Sequence, residues 1–133
     1  MSPADRDARL PGPTPEDEAA ARDRLETLRS TTVARLAALD RSFEEVVAAA
    51  TDANVDDEHD PEGATIGFER AQVAALREHG EQTLREIDAA LERLEEGTYW
   101  TCTVCGGPIA PGRLAVRPTT TMCVGCAAAA ARG

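Results

Sequence analysis

Two long stretches of the chain carry apolar residues at alternating spacings of three and four, the spacing typical of a coiled coil. The first begins at Thr14, whose hydroxyl precedes Pro15 and a pair of acids, and runs without Gly or Pro to about residue 50. The second begins at Asp60, again followed by Pro and Glu, and ends at Gly97. The pattern therefore predicts two helices, each of about 35 residues and roughly 50 Å long.

The two apolar stripes match each other when the chain is folded back between the helices. The predicted seam consists of Leu25, Leu28, Thr32, Leu36, Leu39, Phe43 and Val46 in the first helix and Ile66, Val73, Leu76, Gly80, Leu84, Ile87, Leu91 and Leu94 in the second. In the antiparallel register that we predict, Thr32 lies opposite Gly80 and Leu36 opposite Leu76. Both small residues fall where two spacings of four follow each other, so the helices unwind locally at one place.

Phe43 fits this register poorly, because it lies opposite Glu69, and we expect it to lean on Arg70 or Phe68. The alternative is that the two helices are independent and join a dimeric bundle. That arrangement explains each stripe separately but not the match between them. We therefore predict a mainly α fold: a long antiparallel coiled-coil hairpin over residues 14–97, followed by a small module over residues 98–133.

The net charge of −10 and the pI near 4.6 argue against a broad surface for nucleic acid. Residues 1–13 contain three prolines, and we expect them to be a disordered leader. The first twenty residues are polar and charged, and no apolar run is long enough to span a membrane. These features predict a cytoplasmic protein with reduced thiols.

Four cysteines supply the strongest chemical signal. Cys102 and Cys105 form one C-x2-C pair, seventeen residues separate the pairs, and Cys123 and Cys126 form the second. Two such pairs place four thiolates at tetrahedral corners and leave no position open for water. We therefore predict one structural zinc ion. We also expect metal binding and folding of residues 98–127 to be one event, because these residues have little else against which to pack.

Redox dithiols, disulfides and an iron–sulfur cluster are the alternatives for these cysteines. No strand followed by a helix start precedes Cys102, as a redox pair requires, and two disulfides require an oxidising compartment. Two evenly spaced pairs suit zinc better than an iron–sulfur cluster.

The segment between the helices, residues 51–62, concentrates negative charge. Its acids are Asp52, Asp56, Asp57, Glu58, Asp60 and Glu62. A solvated turn with a helix cap is the ordinary explanation. The functional hypothesis is that this tip, above all Asp56, Asp57, Asp60 and Glu62, enters a narrow cavity of a partner and contacts basic side chains or a metal-bearing centre there.

A long hairpin with an acidic tip and a four-cysteine knuckle resembles the DksA/TraR family of C4-type zinc-finger transcription regulators of bacteria. The local match comprises Gly97-Thr98-Tyr99, Cys105-Gly106, Ile109, Arg113-Leu114-Ala115, Arg117-Pro118 and the four cysteines. The tip pattern of the family, Asp-x-x-Asp-x-Ala, is matched in part. With Asp57 and Asp60 aligned, Glu62 stands in place of Ala; aligned on Asp60, the pattern meets Gly63 and Thr65.

The resemblance implies a regulator that binds RNA polymerase, with the tip in the secondary channel, and that alters initiation without reading DNA. It implies a link to guanosine tetraphosphate in some members, which the short tail after Cys126 disfavours here. We expect a monomer with no membrane association. The alternative function is a zinc module that binds another protein or nucleic acid through its knuckle, with Arg113, Arg117 and Arg132 as a small basic face for nucleic acid. An enzyme ranks last, since the sequence shows no nucleophile–base pair, phosphate loop or open metal site.

Overall fold

The computed structural model describes residues 12–53 and 61–132. In chain order its helices are α1 (Pro15–Ala53), α2 (Pro61–Glu96), α3 (Pro111–Val116) and α4 (Val124–Arg132). No strand occurs within these described ranges; a single antiparallel bridge joins Thr101 and Pro108. The predicted mainly α fold, with two long helices that pack together ahead of a four-cysteine cluster, is confirmed.

Local sequence signals define the described ends of the long helices. The Thr14 hydroxyl accepts a hydrogen bond from the Asp17 amide at 3.0 Å. In return, the Asp17 carboxylate accepts a hydrogen bond from the Thr14 amide at 2.9 Å. This reciprocal pair satisfies two amides at the N-terminus of α1 that lack an intrahelical partner. At the end of α2, Gly97 takes φ of +82°, the left-handed conformation that stops a helix at low cost for glycine. Asp60, the predicted cap of α2, lies outside the described residues.

The chain divides into two compact units, and the first holds the main core. Its described residues are 12–29 and 86–132. The buried apolar side chains come from both long helices and from the segment after them: Ala21, Leu25, Ile87, Ala90, Leu94, Tyr99, Cys102, Ile109 and Leu114. Trp100 packs against this cluster and contacts the Tyr99 ring edge-to-face at 5.0 Å. The expectation that residues 98–127 have little to pack against is therefore wrong, since three of their large side chains share a core with the helices.

The second unit, residues 30–53 and 61–85 as described, has a thinner seam. Thr32 and Gly80 are buried there, whereas Leu36, Leu39, Phe43 and Val73 are only half-buried. Leu76, which the pattern places in the seam, is 49% exposed. Apolar side chains that stay partly exposed remove little area from water, so this unit gains less from the hydrophobic effect than the first.

Contacts across the seam of the second unit run in opposite directions along the two helices, as an antiparallel pair requires. Leu36 packs against Gly80, Asp40 pairs with Arg77 at 2.6 Å, and the Arg70 guanidinium lies 5.9 Å from the centre of the Phe43 ring. The predicted contact of Phe43 with Arg70 is confirmed.

One contact departs from the predicted register by about one helical turn. Gly80 approaches Leu36 most closely, where the apolar pattern paired Leu36 with Leu76 and placed Thr32 opposite Gly80. A repeat of three and four residues returns the apolar stripe to the same face at each turn, so the stripes alone fit neighbouring registers almost equally well. Close packing of Leu36 into the space that Gly80 leaves distinguishes between them.

Among the described residues, no helix combines the length and the apolar character that crossing a membrane requires.

Candidate metal centre

The first cysteine pair lies in a tight backbone turn. The Cys102 amide donates to the Gly107 carbonyl at 2.8 Å, and the Gly106 amide donates to the Cys102 carbonyl at 3.0 Å. Gly106 has φ of +74°, which an L side chain rarely adopts, so glycine is required at this point of the turn. The Gly107 amide points at the Cys105 sulfur, 3.4 Å away. The turn thus aims one backbone amide at the Cys105 sulfur.

The second cysteine pair lies at the start of α4. The Ala127 amide donates to the Cys123 carbonyl at 3.0 Å, which begins the helix, and the Cys126 amide lies 3.5 Å from the Cys123 sulfur. Two residues between the cysteines turn both sulfurs to the same side of this helix start. Each pair therefore holds one sulfur that accepts an amide hydrogen from its own turn.

The two pairs converge on one point. All four sulfur atoms, those of Cys102, Cys105, Cys123 and Cys126, lie within 4.8 Å of one another. The sulfurs of Cys105 and Cys123 are 3.8 Å apart. A zinc ion about 2.3 Å from four tetrahedral sulfurs requires neighbouring sulfurs to be about 3.8 Å apart. The donor set and its spacing fit one structural zinc ion, which these four residues would hold.

In the absence of a metal, the thiols of Cys102 and Cys126 differ strongly in pKa. The Cys105 backbone amide, followed by that of Cys123, lowers the pKa of Cys102 to about 6. Hydrogen bonding to the Cys123 thiol, followed by that to Cys105, raises the pKa of Cys126 to about 12. Four sulfurs this close cannot all ionise without a cation between them. A zinc ion held by these residues would supply that positive charge, and its binding would release protons from the cluster.

The loop that leads to the second pair is attached to the rest of the unit by side chains. The Tyr99 hydroxyl donates to the Pro118 carbonyl at 2.7 Å, and the backbone amide and hydroxyl of Thr103 both donate to the Thr121 carbonyl. The Arg113 guanidinium donates from Nε to the Met122 carbonyl at 2.7 Å. These bonds fix the path of the chain immediately before Cys123.

Sequence reasoning missed this role of Arg113. It placed Arg113 with Arg117 and Arg132 on a basic face for nucleic acid, but Arg113 is half-buried and directs its guanidinium into its own unit. The cysteine spacing does not reveal such a contact, since its donor lies nine residues before its acceptor and neither belongs to a spacing motif. The alternative function loses one of its three cations.

The predicted tip residues cannot be compared with this geometry. Asp56, Asp57 and Asp60 lie outside the described residues, and so does the side chain of Glu62. Their role stays a prediction.

Comparison with known proteins bears on both the cysteine cluster and the whole fold. Residues 97–131 match the family model described as the prokaryotic dksA/traR C4-type zinc finger. The chain is 26% identical to the transcription factor DksA2 from Pseudomonas aeruginosa, whose structure it matches with a TM-score of 0.55 over 98% of this chain and 97% of that one. The chain is thus similar to DksA/TraR proteins both in its C4-type zinc finger and in its overall fold.

Curated relatives match over a shorter range. The RNA polymerase-binding transcription factor DksA of Caulobacter vibrioides is 39% identical over 61 residues, which are 46% of this chain and 43% of that protein. An uncharacterized protein of Aquifex aeolicus is 53% identical over 45 residues, or 34% of this chain and 31% of its own length. The chain thus matches less than half the length of these curated relatives.

Proposed function

We propose that the protein regulates transcription by binding bacterial RNA polymerase, and that the tip between α1 and α2 enters the secondary channel of the enzyme. The observation that carries this proposal is the structural match to the transcription factor DksA2, which extends over nearly the whole of both chains. The matched zinc finger, and the name of the Caulobacter relative as RNA polymerase-binding, support it.

The charge of the tip suits the proposed site. A deep channel that admits nucleotides to a metal-dependent active centre presents basic side chains and metal ions, and a cluster of carboxylates is attracted to both. The net charge of −10 disfavours DNA as the partner. We propose accordingly that the protein does not read DNA sequence, is not itself an enzyme, and acts in the cytoplasm as a monomer.

Binding to core RNA polymerase is the first test. Zinc-loaded protein is titrated against the polymerase, alone and in competition with a known ligand of the secondary channel. We expect saturable binding and mutual exclusion, because two ligands cannot occupy one channel. Simultaneous binding of both would place the contact elsewhere on the polymerase. A parallel series with guanosine tetraphosphate examines the link that the resemblance implies.

The tip is tested by replacing Asp57 and Asp60 with Asn. Asn keeps the size of each side chain and remains a good helix cap, so this double variant removes charge while preserving the start of α2. We expect its effect on transcription initiation to be lost, because the carboxylates make the proposed contact. Run-off transcription from a responsive promoter measures this loss.

The matched control replaces Glu78 and Glu81, two exposed acids of α2, with Gln. The change in net charge is the same, and we expect regulation to persist. Equal loss in both double variants would mean that overall charge matters and the tip does not, which contradicts the proposal.

A further inference from the structure

Arg113 links the short helix α3 to the loop that delivers the second cysteine pair. Its Nε donates to the Met122 carbonyl at 2.7 Å, and its Nη2 donates to the Thr120 hydroxyl at 3.3 Å. The Thr120 hydroxyl also accepts a hydrogen bond from the Met122 amide at 3.4 Å. Two nitrogen atoms of one planar group therefore contact the loop at two points, which fixes its orientation as well as its distance.

The position of the contact makes it relevant to the metal. The Met122 carbonyl belongs to the peptide bond that joins Met122 to Cys123, so holding this oxygen also holds the backbone of Cys123. The Cys123 sulfur lies 3.8 Å from that of Cys105, in the first pair. A small rotation of this peptide would move the sulfur away from the tetrahedral position that zinc requires.

The anchor for Arg113 is itself rigid. Leu114, the next residue in α3, is fully buried in the core that the long helices share with Tyr99 and Ile109. The guanidinium therefore holds the second cysteine pair at a fixed position relative to this core. A mobile surface arginine could not do so, since ordering it would cost its side-chain entropy.

We propose that Arg113 is a positioning residue for zinc: its fork-shaped guanidinium holds the second C-x2-C pair in binding geometry before the metal arrives. Side chains that orient metal ligands without touching the metal change affinity by about 10- to 100-fold when they are replaced. This inference concerns metal binding alone and does not depend on the proposed partner.

The test compares Arg113→Lys and Arg113→Met in the full-length protein. Lys keeps the positive charge but cannot make two contacts with a rigid fork, and Met removes both charge and contacts. Zinc affinity is measured by competition with a chromophoric chelator. We expect both variants to bind zinc about 10- to 100-fold more weakly than the native chain. Thr120→Val, which removes one of the two acceptors, should cause a smaller loss.

Two further readouts separate positioning from simple unfolding. Helicity and Trp100 fluorescence at saturating zinc should equal those of the native protein. The absorption bands of bound cobalt should shift in both Arg113 variants, because these bands report the geometry of the four sulfurs.

Arg117, an exposed arginine just after α3, is the matched control. Arg117→Lys and Arg117→Met should leave zinc affinity and the cobalt spectrum unchanged. Native affinity in Arg113→Lys would show that charge suffices and the fork does not matter. Equal losses at Arg117 would show a general charge effect. Either result overturns the proposal.

Discussion

At the scale of single residues, Tyr99 serves two parts of the molecule. Its ring is fully buried in the core of the first unit, and its hydroxyl donates to the Pro118 carbonyl in the loop before the second cysteine pair. Burial raises the pKa of Tyr99 above its ordinary value of 10.0, while Arg24 and then Arg93 oppose this shift. The hydroxyl therefore stays protonated, and able to donate, throughout the neutral range.

Replacing Tyr99 with Phe should keep the ring packing but leave the Pro118 carbonyl without this donor. We expect the free energy of unfolding to fall by about 1 kcal/mol. Urea denaturation of the zinc-loaded protein, followed by the fluorescence of its single tryptophan, measures this change.

The pH dependence of that difference provides the control. Because the pKa is raised in the folded state, the stabilisation from Tyr99 is complete below pH 10 and is lost as pH rises through the folded pKa. The stability of the native protein should therefore approach that of Tyr99→Phe in strong alkali. If the stability difference between the native protein and Tyr99→Phe stays constant as pH rises above 10, the proton of the hydroxyl contributes nothing to stability.

At the scale of helices, α2 contains two glycines in opposite surroundings. A Cβ atom on Gly80 would lie 2.8 Å from a methyl carbon of Leu36, whereas one on Gly67 would meet nothing within 4 Å. Gly67 therefore costs α2 some helix stability without allowing a closer packing, while Gly80 permits α1 to approach.

Replacing each glycine with Ala should reveal this difference. Gly67→Ala should stabilise the helix by about 1 kcal/mol, the propensity difference between the two residues. Gly80→Ala should gain less or lose stability, because Leu36 must move aside. Thermal unfolding followed by circular dichroism at 222 nm measures both changes. Adding Leu36→Ala should remove the penalty specific to Gly80, and equal gains at both glycines would contradict the observed register.

At the scale of the whole molecule, the metal centre and the helices are connected through the first unit. Tyr99, Ile109 and Leu114 pack in the same core as Leu25 and Ile87. Loss of zinc should therefore affect the long helices as well as the cysteine turns, but only where they belong to that unit.

Removal of zinc with a strong chelator should increase amide hydrogen exchange most over residues 98–127 and less over residues 86–96. Exchange over residues 64–85, which belong to the second unit, should stay close to that of the zinc-loaded protein. Mass spectrometry of peptides after exchange measures each range. Uniform acceleration along the chain would show a single cooperative unit, and exchange confined to residues 98–127 would show that the shared core is not coupled to the metal.

The sequence by itself determined the features that depend on neighbouring residues. The cysteine spacing identified the four sulfurs that cluster, because a C-x2-C turn brings its own sulfurs together whatever surrounds it. Thr14 and Gly97 marked helix ends, because a cap bonds within one turn of its own chain.

Tertiary structure alone decided which distant residues meet. The register between α1 and α2 depends on how Leu36 fits beside Gly80, which a repeating apolar pattern leaves open. The sequence pattern did not predict the shared core or the Arg113 contact either. The shared core joins residues far apart along the chain, and the Arg113 contact joins residues nine positions apart. Both depend on shape and hydrogen-bond geometry, which no periodicity or spacing records.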